Sequence, residues 1–475
     1  MSLYTINKFV SLGLLTLASI SFTSCRVTKD VKEPKLDFPA TFRGSDDNLA
    51  LTDSIIPWKT FFSEPILKAL IDTALERNSD MLIALQNINA AQKIFGQAKL
   101  GYLPKVNLNV TANTNRPSDN SLNGLTLSQF LGSSHVEDYT AAVLLSWEAD
   151  IWGKVGNEKK DALSSYLQTL EARKAIQTRV VGEVSRGYYN LIMLDAQIKI
   201  ARENLQLNQR TFKIIKLQYD AGQVTFLAVG QAEAQQLLAE KLVSQFEQEI
   251  LIQENAISIL MGKNPQPIAR ASSLDLVFTQ PAVTIGVPTA LLQMRPDVKS
   301  AQLQVNRANA RVGIEKANLY PALTITAQGG LNAFKASDWF SLPSSLFGNV
   351  VGGIAQPLLN GRKLRTSFEL ARIEREKAII GFKQQLLLAV GDVSDALVKI
   401  KKLAEQRATQ DKRTAILKQT TVNAEMLFQS GMANYLEVIT AQSNVLQSEL
   451  ELAQTKRAQL DATAELYRSM GGGWQ

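Results

Sequence analysis

Cysteine and histidine, two residue types that often do chemistry, occur once each in this 475-residue chain, as Cys25 and His135. A lone histidine in a Ser- and Gly-rich stretch offers neither a nucleophile–base pair nor a multi-histidine metal site, so histidine-based catalysis and a histidine metal centre are set aside. Carboxylates are plentiful, 44 in all. They are spread along helix-like stretches beside basic neighbours, as at Glu158, Lys159, Lys160 and Asp161, which is the pattern of solvated helix faces and not of a glycosidase pair facing across a pocket. No catalytic residue, cofactor or metal is expected, and a reproducible hydrolytic activity in purified protein would revive the enzyme reading. Cys25 cannot form an internal disulfide. It follows Lys8, an apolar run from Phe9 through Leu17 to Phe22, then Thr23 and Ser24, so residues 1–24 read as a secretory signal and Cys25 as a candidate for acylation. The alternative is an incidental cysteine in a peptide that is cut off.

The remaining composition narrows the setting. A net charge of +7 suggests nucleic acid at first sight, but the basic residues are dispersed among acidic ones, and an exported protein meets little nucleic acid. The chain is 45% apolar, yet beyond the N-terminus it has no continuous apolar stretch of the ~20 residues a membrane helix needs. Any membrane crossing must therefore be made by strands.

The elements that position these residues are written twice. Asp80, Ala84, Ala91, Gly96 and Pro104 recur 217 residues later as Asp297, Ala301, Ala308, Gly313 and Pro321. Tyr219, Gly222, Leu227, Val229, Ala232 and Gly262 recur 209 residues later as Phe428, Gly431, Leu436, Val438, Ala441 and Gly471. Such a period marks two copies of one large unit and not a solenoid. None of the 14 prolines falls between Gly153 and Pro265 or after Pro357, so both stretches are free to be helical. In the first, Val181, Val184, Tyr188, Leu191, Leu194, Ile198, Ala201, Leu205, Phe212, Ile215 and Tyr219 step by three and four, with Asn208 in the one gap, as a coiled-coil seam does. Val390, Val393, Leu397, Ile400 and Leu403 keep that seam in the second copy. The turns Tyr219–Val229 and Phe428–Val438 then fold each long helix onto a partner of ~40 residues.

Strand alternation begins after a proline in each copy. Val106, Leu108 and Val110 alternate with Asn107 and Asn109, and Leu323 and Ile325 with Thr324 and Thr326. A returning strand is expected near Tyr139–Asp150 and near Phe347–Leu358, and the stretches around Ser118–His135 and Ser337–Ser345 are expected to be solvent-exposed loops. Two hairpins give four strands of membrane-crossing length, whereas a lipid-embedded barrel has no open edge and at least ~8 strands, so the chain must assemble with copies of itself. Tyr102, Tyr139, Trp147 and Trp152 are placed to be interfacial aromatics. A soluble β-sandwich also fits the alternation taken alone.

From about Ser63 to Trp474 these residues resemble the TolC-like outer membrane efflux proteins (outer membrane factors), in particular the lipoprotein subgroup similar to OprM. The marks are Met294–Val298 (MRPDV), Tyr320–Pro321, Trp147–Gly153 (WEADIWG), Gln356–Gly361 (QPLLNG), the two turns and Leu466–Trp474 (LYRSMGGGW). The stretch ending at Cys25 resembles a lipobox, with Phe22 and Thr23 as loose matches. The resemblance implies an α+β membrane protein: duplicated strand-hairpin and long-helix units forming a trimeric 12-stranded β-barrel continued by a periplasmic α-helical coiled-coil barrel. It further implies the exit duct of a tripartite efflux system, a homotrimer partnered by a periplasmic adaptor (membrane fusion) protein and an inner membrane pump, often a proton-driven exporter of drugs. The helix-turn tips would meet the adaptor, here at Tyr219, Gly222, Phe428 and Gly431. Acidic residues at the sixth and ninth positions after the second turn glycine line the family's aperture. Glu437 keeps the first and Thr440 replaces the second, while Leu436 matches an apolar constriction.

On this reading the chain comprises a signal (1–24), a lipid-anchored segment (25–62), a first repeat (63–264), a linker (265–288) and a second repeat (289–475). Glu437 also reads as an ordinary solvated helix residue. A periplasmic coiled-coil scaffold explains the helices but leaves the strand hairpins idle. The cargo is open: drug, protein by type I secretion, and metal export all remain, with copper or silver disfavoured because the 8 methionines form no cluster.

Overall fold

The computed structural model of the chain describes residues 42–43, 56–271, 273–274 and 294–475. Cys25 and the signal lie outside the described residues, as does 275–293, which holds much of the expected linker. In chain order the principal elements are α1 (Trp58–Phe61), α2 (Pro65–Arg77), α3 (Ser79–Lys99), β1 (Lys105–Asn115), α4 (Leu122–Leu131), β2 (Val136–Glu148), α5 (Lys154–Asp220), α6 (Phe226–Leu260), α7 (Pro296–Ala317), β3 (Ala322–Ala333), β4 (Leu346–Ala355), α8 (Lys363–Gln429) and α9 (Tyr435–Ser469). Of the described residues, Ala90–Tyr166 and Leu303–Ile380 form one compact unit; those up to Asn89, within Leu167–Gln302 and from Gly381 to Gln475 form another.

The first unit holds one antiparallel sheet in the order β1-β2-β3-β4. Its register sorts side chains onto two faces, because successive residues of a strand point to opposite sides. One face carries the rows Val106–Leu145–Ala327–Val350, Leu108–Val143–Gly329–Gly348 and Val110–Ala141–Leu331–Leu346. The other carries Asn107–Leu144–Gln328–Asn349 and Thr111–Thr140–Asn332. On this polar face the Asn332 amide donates to Asp138 Oδ1 at 2.7 Å and to Thr140 Oγ1 at 2.8 Å. Among the described residues, β1 and β4 are both open edges.

The family marks at the strand–helix junction are structural devices. Asp150 accepts from the N–H groups of Val155 and Gly156 at 2.9 and 3.0 Å, capping the start of α5. Trp147 Nε1 donates to the Tyr102 carbonyl at 2.9 Å; Trp152 Nε1 donates to that of Pro321 at 2.8 Å and its ring stacks on Tyr320, 4.8 Å between centroids. In the second copy Gln356 Nε2 donates to the Leu319 carbonyl at 3.1 Å.

The loop expected between β1 and β2 is partly helical: α4 runs for 10 residues within it. Ser, Asn and Gly bound the segment at Ser118–Asn123, but Leu125, Thr126 and Gln129 are helix-compatible, and Thr126 bonds back to the Leu122 carbonyl at 2.8 Å.

The second unit holds the greater part of the helical hairpins, from Leu167 and Gly381 onward. The long helices α5 and α8 have 67 residues each, and their partners α6 and α9 have 35 each, shorter than the ~40 expected. The seam of α5 is buried as its spacing demands: Val181, Val184, Tyr188, Leu191, Leu194, Ile198 and Ala201 all enter the main core. Asn208, the polar residue in the seam, is also buried and donates to Asn204 Oδ1 at 2.8 Å. Phe61, Phe62, Leu67, Ile71, Ile257, Met261, Leu460 and Tyr467 complete the core, each large side chain contributing on the order of 1.5–3 kcal/mol by leaving water. Burial pushes the Tyr188 phenol up to about 12.

Candidate pore gate and its supporting framework

Each long helix ends in the same way. At the first turn Gln223 N–H bonds the Gln218 carbonyl and Gly222 N–H that of Tyr219, both at 2.8 Å; at the second, Met432 bonds Leu427 at 2.8 Å and Gly431 bonds Phe428 at 3.1 Å. This nested pair of bonds is a Schellman cap, which needs a left-handed residue, and Gly222 and Gly431 both have φ of 76°. The shorter helices end alike. Lys263 bonds Ser258 while Gly262 bonds Ile259, and Gly472 bonds Tyr467 while Gly471 bonds Arg468. Gly222, Gly262, Gly431 and Gly471 are thus all helix stops.

The two turns pack on one another. Ile215, Ala228, Val229, Ala232, Phe428 and Val438 form a small separate core, bordered by Phe212, Val224, Tyr435 and Ile439. Tyr435 hydroxyl donates to Gln231 Oε1 across the two hairpins. Deeper in, the buried Gln442 donates to Thr211 Oγ1 at 3.1 Å and to Glu425 Oε1 at 3.2 Å.

Against this frame the expected site residues divide. Tyr219 is exposed, its ring edge-on to Phe226 at 5.9 Å. Its repeat counterpart Phe428 is only 9% exposed, so it shapes the turns from within and offers a partner little surface. Leu436 is 54% exposed and free to face a lumen. Glu437 lies at the third position of α9, where its N–H bonds Asn434 Oδ1 at 3.1 Å and its Oε2 accepts from Asn434 N–H at 3.2 Å. That reciprocal capping box is a structural duty the sequence reading did not assign to it. Thr440 turns its hydroxyl back to the Leu436 carbonyl at 2.7 Å. In the first copy Thr225 makes no side-chain cap and buried Ala228 stands where Glu437 does, so charge and cap occur together in the second turn alone.

A second asymmetry supports the frame. Asn78 caps α3, accepting from Asp80 N–H at 2.9 Å, and its amide donates to the Leu260 carbonyl at 2.9 Å. Arg295 occupies the equivalent place before α7 and is 4% exposed. It donates to Asp297 Oδ1 at 3.1 Å and Oδ2 at 2.7 Å, to Asp392 Oδ2 at 2.9 Å, and to the carbonyls of Ser469 and Ala389 at 3.1 and 3.4 Å. These contacts account for all the guanidinium donors. Burial works against the Asp297 carboxylate, but Arg295 beside it prevails and holds its pKa below the ordinary aspartate value. Neither sequence spacing nor composition singled out this network, although Arg295 and Asp297 lie in the quoted MRPDV motif.

A family model described as "Outer membrane efflux protein" matches residues 70–263 and 287–472. The cation efflux system protein CusC of Escherichia coli O6:H1 is 25% identical over 464 residues, covering 96% of this chain and 97% of its own. The solvent efflux pump outer membrane protein SrpC of Pseudomonas putida is 25% identical over 475 residues, covering 98% and 99%. A crystal structure of CusC shares the fold with a TM-score of 0.83 at 24% identity, covering 94% of this chain and 100% of that one.

Proposed function

Because the chain belongs to the outer membrane efflux protein family and is an outer membrane channel of a tripartite efflux system, we propose that it acts as a homotrimeric exit duct gated at its helical turns. The observation that carries the assembly is the four-stranded sheet with one apolar face, one polar face and two open edges. An open edge in lipid leaves backbone groups unsatisfied at several kcal/mol each, so the β4 edge of one copy pairs with the β1 edge of the next, and three copies close about twelve strands. Exposed apolar residues along the helices, among them Leu237, Leu251, Ile252, Leu387 and Ile416, are the faces such neighbours would cover.

The channel works with a periplasmic adaptor and an inner membrane pump, here proposed to be proton-driven. Tyr219, Gly222, Gly431 and the turn that Phe428 supports are the proposed adaptor contacts. Leu436, Glu437 and Thr440 are the proposed constriction, with three Glu437 carboxylates facing the axis. Cys25 is proposed to carry the lipid, and residues 63–264 and 289–475 to be the two repeats. The conducted cargo is proposed to be drugs or other small molecules that the pump selects. The likeness to CusC keeps metal efflux as the second reading. Purified protein reconstituted in planar bilayers tests the core of this: discrete single-channel openings from a detergent-extracted, heat-modifiable trimer are expected, and a monomer without conductance would refute it.

A further inference from the structure

We infer that the loop between β3 and β4 is a lipid anchor seated in the headgroup layer beside the apolar face of the sheet, and not a lid across the channel mouth. The inference rests on the membrane-barrel reading above. Its starting point is Tyr139, which alternates along β2 with Ala141, Val143, Leu145 and Trp147 and so lies on the apolar face. Trp339 of the loop sits 5.4 Å from the Tyr139 ring, and Phe340 sits 5.1 Å from Trp339. The loop is therefore bent towards the side of the sheet that faces lipid.

Phe340 and Leu342 nevertheless remain 68% and 66% exposed, and Leu346, the next apolar-face residue, is 59% exposed. The loop is held by bonds of its own: Ser341 N–H bonds the Asp338 carbonyl at 3.0 Å, Ser345 N–H bonds that of Ser341 at 3.0 Å, and Ser345 Oγ bonds that of Asp338 at 2.6 Å. A preformed loop presenting two aromatics and a leucine, with exposed Lys335 at its base, has the composition of a membrane-interface segment. Depth agrees. Tyr139 and Trp147 are separated by ~26 Å along the strand at ~3.3 Å per residue, or ~20 Å of height after a tilt of ~40°, close to the ~25 Å apolar band of such barrels. Trp147 marks one interface and Tyr139 with Trp339 the other.

The test places single cysteines at Phe340, at Leu108 on the apolar face and at Asn109 on the polar face of the full chain. Each is labelled with a polarity-sensitive fluorophore and reconstituted in phosphatidylcholine vesicles, with labelled wild type as the background for Cys25. Quenching comes either from doxyl-labelled phosphatidylcholine or from aqueous iodide. The expected result is a clear loss of emission with doxyl lipid at Phe340→Cys, as at Leu108→Cys, and less loss with iodide than at Asn109→Cys. Iodide quenching at Phe340→Cys like that at Asn109→Cys would place the loop in water and overturn the anchor while leaving the barrel intact. Quenching by neither reagent would mean that a neighbouring copy covers the loop, and also overturns it. If Leu108→Cys itself escapes doxyl lipid, the barrel reading fails and the anchor with it.

Discussion

Replacing Glu437 by glutamine separates the two duties that converge on this side chain. Glutamine serves the third position of a capping box as glutamate does, so its amide oxygen can accept from Asn434 N–H in place of Oε2, now 3.2 Å away. What is lost on folding is the interaction of a charge with the helix N-terminus, on the order of 0.3–1 kcal/mol. The pore should feel the change far more. If three carboxylates stand ~6 Å from an axial cation, each attracts it by ~0.7 kcal/mol in water-like dielectric, together ~2 kcal/mol, or a roughly thirty-fold local enrichment that salt reduces. Glu437→Gln should therefore lower single-channel conductance and cation selectivity at low salt while leaving the thermal unfolding midpoint nearly unchanged. Glu437→Ala should do both, with an added loss of about 1 kcal/mol of helix stability from the broken cap. Unchanged conductance and selectivity in Glu437→Gln, with destabilised Glu437→Ala, would refute the charged ring and leave the residue as a cap.

Three further outcomes are expected. Gly222→Ala and Gly431→Ala force an L-residue to φ of 76° and should each cost roughly 1–2 kcal/mol, read as faster limited proteolysis at that turn than at the other. Arg295→Ala removes the guanidinium from Asp297, Asp392 and two carbonyls; because Asp297 keeps the Gln385 amide at 2.7 Å and both carboxylates still reach water, the cost should be about 2–3 kcal/mol in denaturant unfolding, below the 3–5 typical of fully buried pairs. The Asp297 pKa is depressed in the folded state, so its stabilisation is present above the unfolded value near ~3.9 and is lost as pH falls through the lower folded value; unfolding midpoints should hold between about pH 8 and 5, and Arg295→Ala should remove part of the decline seen below about 4. On β1, Leu108→Arg should destabilise the reconstituted barrel by ~2–4 kcal/mol near the bilayer midplane, whereas Asn109→Arg on the polar face should be tolerated, as heat-modifiability on gels would show.

Much of the frame was readable because it repeats. Proline spacing and the seam from Val181 to Ala201 located the long helices, and alternation at Val106–Val110 located the sheet, since both periodicities follow directly from backbone geometry. Repetition marked Gly262 and Gly471 without explaining them. Besides ending a helix they answer a tertiary demand: an added Cβ at Gly471 would meet the Met294 carbonyl at 2.7 Å, and one at Gly262 would run into the Arg77 carbonyl. The equivalence of Asn78 and Arg295 was hidden because the two side chains do one bridging task with different donor counts. Helix α4 was missed since a ten-residue helix is marginal by itself and its polar flanks dominate the local pattern. The resemblance placed Phe428 and its counterpart Tyr219 together at the helix tips, and only Tyr219 is exposed. A repeat conserves the position of a residue and not its burial. Glu437 was recognised as a charge, but a capping box depends on Asn434 three residues earlier and on the local backbone, which no resemblance of the turn had weighed.

The order of strands in the sheet has a genetic consequence. In the proposed trimer, fusing two hairpins through the β2–β3 pairing gives each chain two edges, β1 and β4, that differ in sequence, so copies would join head to tail and closure would be all or none. A chain with a proline in β1 would still fold its own hairpins and still offer β4, occupying a place in a ring it cannot complete. If the assembly is the proposed trimer, then in a cell making equal amounts of both chains only about one trimer in eight would be free of the defective copy, and such an allele should be dominant over the intact gene.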